Sequence, residues 1–483
     1  MLFPTFSFAF FFLLVFIGFW YVFRRDLERR IFLVAASYVF YAFWDWRFCV
    51  LLLFSTAANY GFGFLVGTNR DHILRKTFLV LAIVFNLLLL GFFKYYNFFA
   101  ESANSLIRLS MAGGGASHGP GFLFPALAVI MPIGISFYTF KTLSYVFDVY
   151  LCRLPVVRSF IDVALYVSFF PQIASGPIVH AADFFPQLPL VMETGADINS
   201  KPIEFDRAAA LIMKGLLKKM VFANFLSTLF VDPVFANPSQ FNTVEVMLAA
   251  FGYSVVIYTD FSGYSDMAIG IALLLGFKTP ANFNRPYISH SVTEFWKRWH
   301  ITFSLWLRDY LYFSMGGSRF GKFRNLAALF FTMMLGGLWH GAALTFLVWG
   351  AMQGVALAVE RAFNYGNKRS ANTLIAIAQI LGTFLFTTIS WIVFRAPSFS
   401  SIQNYLGALG NFSVPVTMLS PLVILLLVFG LCMNLIPRNF RSFSFSMYGL
   451  IPLPLKGILI ASFLVFLSVV SMSGVAPFIY FQF

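Results

Sequence analysis

Charge is scarce in this chain. Only 11% of its 483 residues are Asp, Glu, Lys or Arg, less than half the roughly 25% of soluble proteins. That shortage argues against a string of soluble domains. Cysteine is scarcer still: Cys49, Cys152 and Cys432 lie far apart, without a CxxC or Cys/His ligand spacing. They read as small apolar residues, and neither a disulfide nor a metal site follows from them. Familiar catalytic signatures are missing as well. The chain has no GxSxG elbow, no HExxH, no Walker loop and no GxGxxG. Without a serine nucleophile or a metal pair, histidine acting directly as general base is what remains.

What the chain has is apolar length. Hydrophobic residues make up 59% of it, with 65 phenylalanines, and runs of about 18 or more apolar residues, enough to cross a bilayer as helix, recur throughout. The expected fold is all-α and polytopic: one bundle of about ten to twelve membrane helices. Residues 1–23 hold no basic residue, while Arg24, Arg25, Arg29 and Arg30 follow. A signal peptide has the reverse order, so the positive-inside rule predicts a retained first span with its N-terminus outside the cytoplasm. Spans near 31–45, 47–66, 77–93 and 123–151 then place segments 24–30, 70–76 and 153–158 inside. Those three carry nine basic residues, against Arg47, Lys94 and Arg108 in the outside loops. The net charge of +14 is therefore read as cytoplasmic bias and lipid-headgroup contact. It is spread over short loops and does not point to nucleic acid.

Three regions of one integrated bundle are expected: N-terminal helices over 1–122, a core over 123–362 and C-terminal helices over 363–483. The outside loop from Lys94 to about Pro125 contains "MAGGGASHGPG", whose His118 reads as a solvated loop residue. Pro132 and Gly134 should bend the next span. In "SFFPQIASGPIVHAADFFPQLP", Pro171, Gly176 and Pro177 interrupt an apolar stretch too short to span, which predicts a re-entrant or interfacial segment packed inside protein. Residues 193–207 are polar and lead into "MKGLLKKM", a cytoplasmic-face signature. The apolar stretch from 243 to Phe277 holds Asp260, Ser262, Ser265 and Asp266; its two acids should face protein or water rather than lipid. Residues 326–354 are uncharged and would measure about 43 Å if wholly helical. Further spans are expected near 373–395, 418–436 and 457–480. No internal repeat is evident.

Two histidines stand out. "SVTEFWKRWHITFSLWLRDYLYF" opens with Ser291 and Glu294 at capping-box spacing. Read as one helix, it places Phe295, Trp299, Phe303, Trp306, Tyr310 and Phe313 on one face and Lys297 and Arg308 opposite. His300 falls between the aromatic and basic faces. Such a helix lies in a membrane interface, touching lipid phosphates, or lines a wet cavity. His340 sits in "MMLGGLWHGAALTFLVWG", an uncharged run, beside Gly336, Gly337 and Gly341, small residues that let helices approach closely. It serves either as hydrogen-bonding glue between helices or as a base at depth. A metal-ligand role suits a neutral imidazole equally. His72 and His290 sit in polar turns and read as solvated.

"TDFSGYSDMAIGIALLLGF", "NFNRPYISHSVTEFWKRWHITFSLWLRDYLYFSMGG" and "LGGLWHGAALTFLVWG", in that order, resemble the membrane-bound O-acyltransferase family, its bacterial polysaccharide branch in particular. "MPIGISFYTFKTLSYVFDVY" and "SFFPQIASGPIV" extend the likeness over about residues 130–355. The resemblance implies a bundle with a central tunnel or funnel, in which an acyl thioester reaches a buried histidine from the cytoplasm. His340 matches the family's defining histidine and His300 its second polar position; Asp266, Arg308 and Asp309 fall in the same motifs. It also implies acetyl-CoA as donor, no tightly bound cofactor, an extracytoplasmic polysaccharide acceptor, an SGNH-hydrolase-type partner and a place in the bacterial inner membrane. Lys297, Arg298, Arg308 and Arg319, with Lys322 and Arg324, are candidates for the phosphates of CoA. Lipid phosphate explains them as well. The chain departs from the branch's "WHGANWTF" at Ala343 and Leu344, and has His180 where a basic residue often follows "GPIV". Two other readings stand beside this one: a transporter or channel with a protonatable His/Asp pathway, and a redox or metal protein using His300, His340 and an Asp.

Overall fold

A computed structural model describes residues 1–112, 124–192, 203–366, 369–437 and 448–470. His118 and its glycine-rich stretch, most of 193–207 and the end of the 457–480 span lie outside the described residues. Within them the chain is helical and no strand forms. The N-terminal helices are α1 (Phe6–Ile17), α2 (Asp26–Ala42), α3 (Arg47–Thr68), α4 (His72–Leu90) and α5 (Tyr96–Ala112). Then come α6 (Ile135–Tyr150) and four short helices, α7 (Phe160–Ser168), α8 (Phe170–Ile173), α9 (Ala181–Phe184) and α10 (Gln187–Met192). Next are α11 (Phe205–Leu216), α12 (Asn224–Leu226), α13 (Asp232–Ala236) and α14 (Thr243–Leu274). The remainder comprises α15 (Val292–Trp296), α16 (Ile301–Trp306), α17 (Lys322–His340), α18 (Leu344–Ala362), α19 (Thr373–Arg395), α20 (Phe399–Gly407) and α21 (Pro421–Cys432), then Leu453–Val470.

Among the described residues, four helices are long and apolar enough to cross a membrane: Arg47–Thr68, His72–Arg108, Thr243–Leu274 and Thr373–Arg395. Three shorter apolar helices cover Phe6–Val22, Pro421–Cys432 and Leu453–Val469. The central element is α14. Its 32 residues span about 48 Å, and nearly all of its middle is buried. Such a helix carries no polar stripe, because it faces protein all round. Its two aspartates are met by cations. Asp266 pairs with Lys218 at 2.8 Å and Lys214 at 3.1 Å, and Asp260 pairs with Lys219. Lys218 and Lys219 of "MKGLLKKM" therefore turn inward rather than toward headgroups, because buried carboxylates demand partners.

The three segments expected on the cytoplasmic side gather at one end of the bundle. Arg30 joins Asp162 at 2.6 Å, the Arg75 guanidinium donates to the Tyr150 carbonyl at 2.9 Å, and Tyr60 donates to the Arg158 carbonyl at 2.7 Å. The Pro- and Gly-interrupted stretch forms the short helices α7 and α8, buried among protein as its broken pattern requires.

Three expectations about helix continuity fail. The span over 123–151 is not bent helix: residues 125–132 are irregular, and α6 starts only after Gly134, whose φ is 75°. A Cβ there would press on the Ile173 carbonyl. The run 326–354 is not one long helix. It folds back at 341–343 into the antiparallel pair α17 and α18, with Gly341 extended at φ −158°. Gly337 lies against Gly350, and Gly350 against the Met333 carbonyl, so the small residues provide the close approach expected of them. The third failure, at His300, belongs to the site.

Candidate active site

His340 is the last residue of α17. Its imidazole is 3% exposed and is walled by the rings of Trp339, Trp349, Phe303 and Phe394, at centroid distances of 5.1–5.4 Å. Beside it opens a cavity of about 500 Å³ lined also by Met1, Tyr41, Trp44, Lys94 and Ser136. This cavity lies at the end of the bundle holding the segments expected outside.

His300 is not on a continuous helix. α15 ends at Trp296, α16 starts at Ile301, and His300 between them is left-handed at φ 41°. The break is held by residues 282–284. Ile301 N–H donates to the Asn282 carbonyl and Asn284 N–H to the Arg298 carbonyl, each at 2.9 Å. Asn282 Oδ1 also receives the Thr302 backbone N–H at 3.2 Å and the Thr302 hydroxyl at 3.0 Å. His300 Nδ1 is 3.1 Å from that oxygen. An oxygen that accepts from a backbone N–H acts as an acceptor, so Nδ1 carries the proton and Nε2 the lone pair. That Nε2 is buried without a hydrogen-bond partner among the described residues. The aromatic stripe turns inward rather than to a membrane interface. Phe295, Trp299, Phe303, Trp306 and Tyr310 are all buried; Phe313 alone is exposed.

The two histidines come together across one ring. Phe303 lies 4.9 Å from the His300 imidazole and 5.3 Å from that of His340, with Trp339 at 4.6 Å. Beyond His300, three residues back, Lys297 and Arg298 line a second cavity of about 700 Å³ with Arg285, Arg369, His290 and Glu294. Four cations against one carboxylate leave it with three net positive charges at neutral His290. Glu294 sits outside the membrane-spanning segments. Burial pushes its carboxyl up, but bonds from the His290 backbone, Arg298 and the His290 ring outweigh that and hold it below its ordinary value. His290 is thus half-buried and bonded to Glu294 at 3.0 Å, not a solvated turn residue. Ser291 does cap α15, yet Glu294 returns to the His290 N–H rather than closing the expected box.

The other candidate cations are elsewhere. Arg308 is exposed and pairs with Asp309 at 2.7 Å, and neither Arg308 nor Arg319 lines the basic cavity. His180 packs on Tyr310 at 5.1 Å. Asn282, Arg285, Arg369 and Lys94 were missed as site residues. Lys94 did have a signal, a lone cation at the end of an apolar run, which reads equally as an outside-loop charge.

The sequence model of MBOAT, the membrane-bound O-acyltransferase family, matches residues 150–401. The chain is 40% identical over 416 residues to the probable alginate O-acetylase AlgI of Pseudomonas aeruginosa, covering 85% of this chain and 75% of that protein. The chain belongs to the membrane-bound O-acyltransferase family. Another relative, the peptidoglycan O-acetyltransferase of Helicobacter pylori, is 34% identical over 79% of this chain and 74% of its own length. A teichoic acid D-alanyltransferase of Bacillus subtilis is 30% identical over 57% and 71%. As a membrane-bound O-acyltransferase the protein is an enzyme, which decides against the transporter and redox readings. His300, His340, Lys297 and Arg298 all lie within the matched segment.

Proposed function

We propose that this acyltransferase moves acetyl groups from cytoplasmic acetyl-CoA to hydroxyls of an extracytoplasmic polysaccharide, from a bundle of ten to twelve segments in the bacterial inner membrane. One arrangement carries the reading. His340 faces a cavity at one end of α18 and the basic cavity lies toward the other, with about 28 Å of helix between. The basic cavity suits the phosphates of CoA, through Lys297, Arg298, Arg285 and Arg369. The His340 cavity suits the acceptor, and the route between them passes Phe303 and Trp339. The hydroxyl that takes the acetyl group is the polysaccharide's own or that of an SGNH-hydrolase-type partner outside, which passes the group on to the polysaccharide.

In the transfer, the acceptor hydroxyl oxygen attacks the thioester carbonyl carbon while a His340 ring nitrogen takes its proton. The tetrahedral species collapses, the C–O ester bond stays and the C–S bond breaks. The departing thiolate of CoA receives that proton from the imidazolium. No cofactor is needed for the balance. His300, with its lone pair at Nε2, is suited to accept an N–H of the donor's pantetheine arm; only if protonated would it stabilise the thioester oxygen.

Purified protein in nanodiscs with radiolabelled acetyl-CoA and a glycan acceptor tests this. His340→Gln keeps a donor and an acceptor but cannot take the proton. It should insert normally and lose about 10²–10⁴-fold in kcat. Near-normal transfer by that variant would end the general-base assignment.

A further inference from the structure

The C-terminus of α17 leaves its last carbonyls without helical donors, because the chain turns extended at Gly341 and no next turn supplies them. Two consecutive residues of another element meet these carbonyls. Tyr95 Oη donates to the Leu338 carbonyl at 2.8 Å. Lys94 Nζ donates to the Trp339 carbonyl at 2.7 Å and to that of His340 at 3.0 Å. Both belong to the π-helical turn Gly91–Tyr95 that separates α4 from α5. This widened turn aims neighbouring side chains at one target.

We propose that Lys94 and Tyr95 are positioning residues for His340, fastening the end of its helix from outside; this rests on His340 being the base. A terminal residue is the one that frays. In this protein the terminal residue bears the imidazole, so loosening the last carbonyls moves the reacting nitrogen directly. An ammonium suits the place twice over: it donates to the carbonyls, and its charge opposes the negative end of the helix dipole. Lys94 lines the acceptor cavity, which suggests anion recognition. Its hydrogens point elsewhere. An ammonium has three N–H groups, and the third has Ser136 Oγ at 3.4 Å. A hand on the helix fits this geometry better than a hand on the substrate.

The test compares kcat and KM for acetyl-CoA and the acceptor in Lys94→Met, Lys94→Arg and Tyr95→Phe, with His340→Gln alongside. Misplacing a catalytic group by about 1 Å can cost about 10²-fold. Lys94→Met should therefore lower kcat about 10- to 100-fold with both KM values nearly unchanged. Lys94→Arg, which still donates to two carbonyls, should recover much of the rate. Tyr95→Phe loses one hydrogen bond and should lower kcat about two- to tenfold. A merely structural lysine would reduce the yield of folded protein and leave kcat per folded molecule intact. If Lys94→Met cannot be purified folded, Tyr95→Phe decides, and an unchanged kcat there overturns the proposal. So does a Lys94→Met defect confined to KM, or a normal Lys94→Met beside an inactive His340→Gln. An active His340→Gln would instead overturn the general-base reading beneath it.

Discussion

His300 shows how a single side chain acquires a chemical role from its neighbours. Its left-handed backbone is uncommon for a non-glycine residue, and strain of that kind persists only where the surroundings fix it. Here Asn284 binds the backbone before the break and Asn282 the backbone after it, and Asn282 also fixes the imidazole's tautomer. The outcome is a buried lone pair at Nε2, on a ring packed against Phe303. Removing the ring should lower kcat/KM for acetyl-CoA by about tenfold or more, about 1.4 kcal/mol of transition-state stabilisation. Steady-state kinetics of His300→Ala in nanodiscs measure this. An unchanged kcat/KM would reduce His300 to a packing residue. Pattern alone places this histidine between two helical faces, and the break hidden in "KRWHIT" has no proline or glycine to announce it.

At the scale of elements, the hairpin of α17 and α18 sets the position of the base. Its two helices touch through glycine: Gly350 faces the Met333 carbonyl and Gly337, and Gly354 faces the Phe330 backbone. Backbone cannot move aside as a side-chain tip does, so an added methyl must part the helices. Gly350→Ala should lose about 1–3 kcal/mol of stability to overpacking, seen as a lower unfolding temperature in detergent, and reduce transfer because His340 shifts with α17. Gly382→Ala in α19 is the control. A Cβ there meets nothing within 4 Å, and alanine favours helix. Equal melting of both variants would show that the close approach does not matter.

The whole molecule has two unlike ends. One gathers Arg30, Arg75, Tyr150 and Asp162, with the basic cavity toward it; the other holds Met1, Lys94 and the His340 cavity. The proposed sidedness follows from the basic segments lying inside. In a cysteine-free background, a cysteine at position 2 should react with an impermeant thiol reagent in right-side-out vesicles. One at position 70 should react only in inverted vesicles, the same ones in which added acetyl-CoA supports transfer. The opposite pattern would invert the topology and place the donor outside.

Much of this protein is set by composition and order along the chain. Scarce charge and recurring apolar runs of about 18 or more residues demand a helical membrane bundle, since such a run satisfies its own backbone away from water as a helix. The acids within α14 had to face protein, and His340 among glycines had to face another helix. These are properties of each stretch by itself. What the tertiary structure decided are the places where distant segments compete with local propensity. Lys218 and Lys219 turn inward because Asp266 and Asp260 lie across from them. The helix through His300 breaks because Asn282 offers its backbone and side chain as alternative partners. Lys94, a loop charge by position, becomes a cap because α17 ends beside it. Hydrophobic periodicity reports which face is buried; it carries no record of which polar group from elsewhere will complete a hydrogen bond, and at this site those bonds set the geometry.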